Sequence, residues 1–147
     1  MKNSNLKHSN NWATPKDFYE ALNSEFHFDF DPCPLRKGKI TPKKDGLKID
    51  WGKSNFINPP YSRKLKESFI RKAVEESENS VCVMLLPVST STKIFHDVIL
   101  PNISEPIRFV RGRIAFEGVN TKGKKVTTKK GMHDSMIVIF GHNSKRN

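Results

Sequence analysis

Cysteine, acidic residues and long apolar runs are all scarce in this sequence, and each shortage excludes something. Two cysteines, Cys33 and Cys82, cannot staple a small scaffold, and they lack the paired spacing of a zinc site. The histidines, His8, His27, His96, His133 and His142, are scattered, so no metal centre is expected. No apolar stretch approaches the roughly 20 residues needed to cross a bilayer. Met1–Asn11 is polar and has none of the apolar core of a secretory leader. The expectation is a cytoplasmic protein with no membrane partner, and no obligate protein partner is evident. Beyond lysine enrichment there is neither a repeat nor a low-complexity tract.

Acidic side chains number 15 against 26 lysines and arginines, a net charge of +11 over 147 residues. An excess of that size attracts polyanions and gives salt-dependent affinity for phosphate backbones. The length suits one domain, here residues 12–147 behind a flexible tail at 1–11. Two segments concentrate the charge. Residues 35–48 carry Lys37, Lys39, Lys43 and Lys44. Residues 117–134 carry Lys122, Lys124, Lys125, Lys129 and Lys130, with glycines between them. Arg108, Arg111 and Arg113 stand at the root of this second loop, and together these residues form a candidate clamp for double-stranded DNA. Arginine suits that task because its planar fork makes paired hydrogen bonds to phosphate or guanine.

Hydrophobic patterning predicts an α/β arrangement. Thr14 and Pro15 are placed as N-cap and first residue of a short helix carrying Phe18, Tyr19 and Leu22 and ending near Ser24. Phe26, Phe28 and Phe30 alternate with polar residues, the period of a strand, which Pro32 stops. Asp45-Gly46 signals a turn, followed by a very short strand into Asp50-Trp51. Ser54–Ile57 is the central strand. Leu65, Phe69, Ile70 and Val74 recur at helical spacing over Arg63–Ser77, with Ser62 as its cap. Val81–Leu86 is apolar on both faces, typical of a parallel sheet. Lys93–Leu100 is a short helix, and residues 106–116 and 135–141 form a closing antiparallel hairpin.

The most informative stretch is Asn58-Pro59-Pro60-Tyr61. Neither proline can continue a sheet ladder, and Asn58, preceding a proline, is pushed toward extended geometry. Its amide and nearby carbonyls are thus fixed at a strand's carboxyl end, the edge where open α/β sheets bind ligands. An amide oxygen and a backbone carbonyl can accept both hydrogens of an exocyclic amine while an aromatic ring stacks on its base. That chemistry is methyl transfer to a nucleobase, with the nucleophile supplied by the substrate.

This tetrapeptide resembles the catalytic motif of amino-group DNA methyltransferases. Trp12-Ala13-Thr14-Pro15, Phe28–Cys33, Asp45-Gly46-Leu47 with Asp50-Trp51, Leu85-Leu86-Pro87, Gly112–Phe116 and Ser135–Phe140 follow the order of the small phage-type DNA N6-adenine methyltransferase family, over roughly residues 12 to 140. The resemblance implies a reduced Rossmann-like methyltransferase fold, its sheet mostly parallel with a C-terminal antiparallel hairpin. It also implies S-adenosylmethionine as cofactor and methylation of adenine N6 in DNA, in a bacterial or phage-infected cytoplasm. Asn58, Pro59, Pro60 and Tyr61 would be catalytic. Trp12, Thr14, Pro15, Asp31, Cys33, Asp50, Trp51 and Phe56 would line the cofactor site, Asp50 near the cofactor's adenine. The glycine-rich turn of the commonest methyltransferases is replaced here by Asp31-Pro32-Cys33-Pro34. Two alternatives stand beside this reading: cytosine N4 methylation, which needs the same amide geometry, and a non-catalytic DNA-binding or anti-restriction protein on a degenerate methyltransferase scaffold.

Overall fold

Every residue of strand β1, Ser54–Ile57, is buried, and the rest of the chain is layered around it. The computed structural model describes residues 14–33, 46–60, 62–115, 117–119, 125–127 and 133–142, with the backbone alone at 117–119 and 125–127. Helix α1 (Lys16–Phe26) precedes β1, and a 3-10 turn at Gly46–Lys48 leads toward it. Helix α2 (Arg63–Glu76) and strand β2 (Val81–Pro87) follow. A π-helical turn, Phe95–Ile99, then runs into the short helix α3, Leu100–Asn102. Strands β3 (Arg108–Phe109), β4 (Glu117–Val119), β5 (Lys125–Thr127) and β6 (Ser135–Gly141) complete the order.

Four strands form a mixed sheet in the order β1-β2-β6-β3, and β4 and β5 pair separately. β1 and β2 are parallel, with Ile57 beside Met84. β6 runs antiparallel to β2 along its whole length, from Val81 beside Gly141 to Pro87 beside Ser135. It is also antiparallel to β3 at two positions. Two of the three ladders are therefore antiparallel, which corrects the expectation of a mostly parallel sheet. The physical reason lies in β6: all of Ser135–Phe140 is buried, so it can be covered on both faces and occupies the sheet interior. An apolar run of this kind does not encode strand direction.

The alternating phenylalanines also need correcting. α1 continues through Phe26 and ends at His27, which is left-handed (φ 53) and donates its N–H to the Asn23 carbonyl. The Asn23 side chain accepts the next N–H, from Phe28. Phe26 is thus spent in the helix, and the expected strand shrinks to one parallel bridge between Phe30 and Asn55. The polar atoms that fix β1 were not anticipated. Asp29 Oδ1 accepts the N–H groups of Lys53 and Ser54. Asn55, fully buried, accepts the Gly52 N–H and donates to the Gly52 and Val81 carbonyls. A buried amide so fully partnered favours one register.

The sheet separates two apolar layers. Phe56, Val83, Leu85 and Ile139 pack with Phe26 of α1, and Ile57, Met84, Met136 and Phe140 with Phe69 of α2. Arg108 ties β3 to α1 by a two-pronged ion pair with Glu25 at 2.7 and 2.8 Å, and its guanidinium stacks over Phe26.

Candidate active site

Strand direction collects the site. β3 opposes β6 and β6 opposes β2, so β1, β2 and β3 point the same way, as does the Phe30 bridge. The chain therefore leaves the sheet along one edge four times, at Asp31, Asn58, Val88 and Val110.

At the β1 exit the two prolines act as the sequence predicts: Asn58 is half-buried, Pro59 and Pro60 are buried, and none of the three is in a strand. Asn58 Nδ2 donates to Thr14 Oγ1 at 3.1 Å. Its backbone carbonyl accepts the Cys33 thiol at 3.2 Å. Thr14 is therefore not the N-cap of α1. That position falls to Pro15, one residue later than expected, and the threonine hydroxyl turns to the asparagine. Ser62 precedes α2 as expected, though it makes no capping hydrogen bond.

The Asp31 turn forms the facing wall. Asp31 Oδ1 accepts the Cys33 N–H at 2.9 Å, closing a tight Asx turn around Pro32. Burial, with the Asp31 charge second, pushes the Cys33 thiol well above its ordinary value, although its hydrogen bond to Asn58 opposes this. The phenol of Tyr19 is raised by burial and then by Asp31 and Glu20. Cys33 is accordingly a neutral donor that fixes the Asn58 carbonyl, and the negative charge of this corner belongs to Asp31.

Gly46 is a supporting residue that the turn signal alone did not reveal. A Cβ there would collide with the Pro32 carbonyl oxygen and stand 2.6 Å from the Pro32 Cβ. The chain before β1 passes so close behind the Asp31-Pro32-Cys33 turn that only glycine fits. Rigid Pro32 in front and Gly46 behind together shape this turn.

Thr14, Asp31, Cys33 and Asn58 are thus brought together, with Pro15 and Pro59 adjoining them in the chain. Other expected site residues stand apart. Trp51 is buried against Phe69 and under Lys72, with its indole N–H on the Gly46 carbonyl at 2.7 Å. Its backbone N–H meets Glu76, the last residue of α2, whereas Asn58 lies before the first. Asp50 is exposed beside it. Phe56 is 2% exposed, with Tyr19 edge-on and Phe28 tilted against it. Trp12 and Tyr61 lie outside the described residues.

Among the expected DNA ligands, Arg111 is exposed, Arg113 pairs with Asp134 at 3.1 Å across two exposed side chains, and Arg108 is held by Glu25. Lys37, Lys39, Lys43, Lys44, Lys122, Lys124, Lys129 and Lys130 lie outside the described residues, as does the side chain of Lys125. No cluster of metal-binding side chains exists among the described residues, and no helix among them is long and apolar enough to cross a membrane.

Comparison with known proteins identifies the family. The family model for DNA N-6-adenine-methyltransferase (Dam) matches residues 2–146. The chain belongs to the DNA N-6-adenine-methyltransferase family. It is 35% identical to the DNA N-6-adenine-methyltransferase of Haemophilus phage HP1 (strain HP1c1) over 152 aligned residues, covering 95% of this chain and 84% of that protein. It is also 34% identical to the enzyme of the same name from Escherichia phage T1 over 93 residues, 57% of this chain but 38% of the phage protein. Asn58, Asp31 and Thr14 all fall within the residues that the family model spans.

Proposed function

We propose that this protein transfers a methyl group from S-adenosylmethionine to the N6 amine of adenine in DNA. The observation that carries the reading is the Asn58 amide, anchored through its nitrogen to Thr14 at the carboxyl end of β1, with the Asp31 carboxylate across the corner. With the nitrogen committed to Thr14, Oδ1 is the end of the amide suited to accept a hydrogen from a substrate amine.

The residues present fit such a cofactor. When bound, S-adenosylmethionine supplies an electrophilic methyl group on a positively charged sulfur. A carboxylate at the site, Asp31, complements that charge and can receive the cofactor's amino group. Thr14, Pro15 and the Asp31-Pro32-Cys33 turn would make its wall, and the family resemblance adds Trp12 and Asp50 as cofactor contacts. Trp51 supports that turn indirectly, through its indole N–H on the carbonyl of Gly46, which lies against Pro32.

Asn58 Oδ1 and the Pro59 carbonyl would each take one hydrogen of the adenine amine. That would leave the amine's lone pair available to the methyl group the cofactor supplies, and Tyr61 would stack on the extruded base. An amine that takes the methyl group while the carbon–sulfur bond of the sulfonium breaks, leaving a neutral thioether, can shed its proton afterward, so no strong base would be needed. Alignment supplies the rate, and the basic surface supplies capture.

The common direction of β1, β2 and β3 supports a reduced Rossmann-like reading in which β6 is the one reversed strand of the four. The family relatives favour adenine over cytosine, since both are named for adenine N6. The test is incubation with labelled cofactor and double-stranded DNA, followed by digestion and mass analysis of the modified base. N6-methyladenine made by the wild type and lost in Asn58→Ala, with DNA binding retained, is the expected result. Undiminished turnover by Asn58→Ala would sink the assignment.

A further inference from the structure

A cleft of about 550 Å³ opens at the carboxyl end of β2, between the first turns of α2 and the Ser89–Phe95 segment. Its volume lies in the range of small-molecule sites. Its lining includes neither Asn58 nor Pro59 nor Pro60, so it is a neighbour of the Asn58 corner and not part of it.

The lining is divided by chemistry. Ile70, Leu86, Ile99 and Met136 make an apolar floor, each no more than 2% exposed. Lys66, Lys93 and Arg63 make a mainly basic rim that the Glu67 carboxylate interrupts, and Ser91 and Thr92 also line it. Arg63 is occupied in part by Glu67 at 3.2 Å. Among the described residues neither Lys66 nor Lys93 is in an ion pair. Burial lowers the Lys66 ammonium below its ordinary value; nearby Glu67 opposes the shift and Arg63 adds to it.

The rim is also built in advance. Thr92 Oγ1 donates to the Ser89 carbonyl at 3.0 Å and accepts the Phe95 N–H at 3.3 Å, and the His96 ring bonds the Thr90 carbonyl at 2.6 Å. The segment therefore holds its shape without a ligand, which limits the ordering that binding would require.

An apolar floor under a rim of cations and hydroxyls fits one kind of ligand especially well: a flat heterocycle joined to a phosphodiester. Swinging an adenine out of a duplex leaves a neighbouring or opposing nucleotide unstacked, and an unstacked base favours an apolar shelf. We infer that the cleft between α2 and residues 89–95 is a second nucleotide subsite, holding an unstacked DNA nucleotide beside the target with its base on the Leu86–Met136 floor and its phosphate on Lys66 and Lys93. This assignment rests on the DNA-methylating reading above.

The test uses the full chain and two probes. The first is 20-mer duplex DNA with 5-bromodeoxyuridine in place of thymidine, irradiated in complex and mapped by peptide mass. Adducts are expected on peptides containing Phe95 or Met136, with yield falling at least fivefold in Lys66→Gln/Lys93→Gln at matched occupancy. The second is the same duplex unsubstituted, titrated for binding across salt. The double variant should bind roughly tenfold more weakly, with a log–log salt slope reduced by about one unit. Crosslinks confined to other peptides, an unchanged slope, or a reduced slope without Phe95 or Met136 adducts each overturn the nucleotide assignment. A thermal midpoint matching the wild type excludes misfolding of the variant. Product analysis runs separately: adducts without N6-methyladenine would refute the reaction and leave the subsite, and N6-methyladenine without adducts would do the reverse.

Discussion

Replacing Thr14 by valine removes one hydroxyl and little else, and it isolates what the Asn58 anchor does. The bond lost is the 3.1 Å contact from Asn58 Nδ2 to Thr14 Oγ1. A neutral hydrogen bond of this kind contributes about 1 kcal/mol net. The amide would then be held less tightly in the orientation that points Oδ1 at the substrate amine. If that 1 kcal/mol falls wholly on the transfer step, kcat drops about fivefold, and loss of a fixed orientation can deepen the drop toward thirtyfold. Because both residues are half-buried, the fold itself should lose about 1 kcal/mol or less, a shift in thermal midpoint of roughly 2–4 °C. Thr14→Ser retains the hydroxyl and should keep kcat within about twofold of wild type. The assay is single-turnover methylation of DNA with saturating cofactor and enzyme in excess, which isolates the transfer step from product release. If Thr14→Val matches the wild type, or if Thr14→Ser is as slow as Thr14→Val, the hydroxyl does not hold the amide in its working orientation.

Three further outcomes are expected. Gly46→Ala drives a methyl group into the Pro32 carbonyl and should destabilise by about 1–3 kcal/mol; calorimetry should show the lower midpoint, and labelled-cofactor binding should weaken as the Asp31-Pro32-Cys33 turn is displaced. Arg108→Ala, measured by salt-titrated DNA binding, should change the slope less than Arg111→Ala does, because Arg108 is already forked onto Glu25. Equal slopes for the two variants would contradict this. Stability should also fall as the pH rises above 9: burial raises both thiols, Cys82 from 9.0 to about 12 and Cys33 well above its ordinary value, so the unfolded chain loses protons that the folded chain keeps. For each thiol the slope approaches about 1.4 kcal/mol per pH unit between its unfolded and folded values, and urea melts of Cys82→Ala should show a shallower decline.

Local elements were well encoded. Ser54–Ile57 is bounded as expected because prolines stop it on one side and the Gly52-Lys53 bend on the other. The helix over Arg63–Glu76 follows from apolar residues at helical spacing, and Pro87 ends β2 as predicted. What the sequence hid were choices between equivalent patterns. Phe26 could serve a helix or a strand, and the Asn23 cap decided it. Ser135–Phe140 could sit at the sheet's end or within it, and its burial on both faces took it inside. The exit of the chain at Asn58-Pro59-Pro60 was legible from its prolines, whereas the Asn58–Thr14 bond joins residues far apart in the chain and no local rule announces it. Gly46 looked like an ordinary turn residue because its reason lies across space, in Pro32.

The position of β6 has a consequence for biosynthesis. β2 and β3 do not touch; β6 fills the space between them, and Val81 waits for Gly141 to pair. During translation the ribosome must deliver everything through residue 141 before the interior can close, so for several seconds at 5–20 residues per second the nascent chain presents β2 with an open, wholly apolar flank. A chain stalled in the lysine-rich stretch before His133 would expose that flank indefinitely and become a client for chaperones or a seed for aggregation.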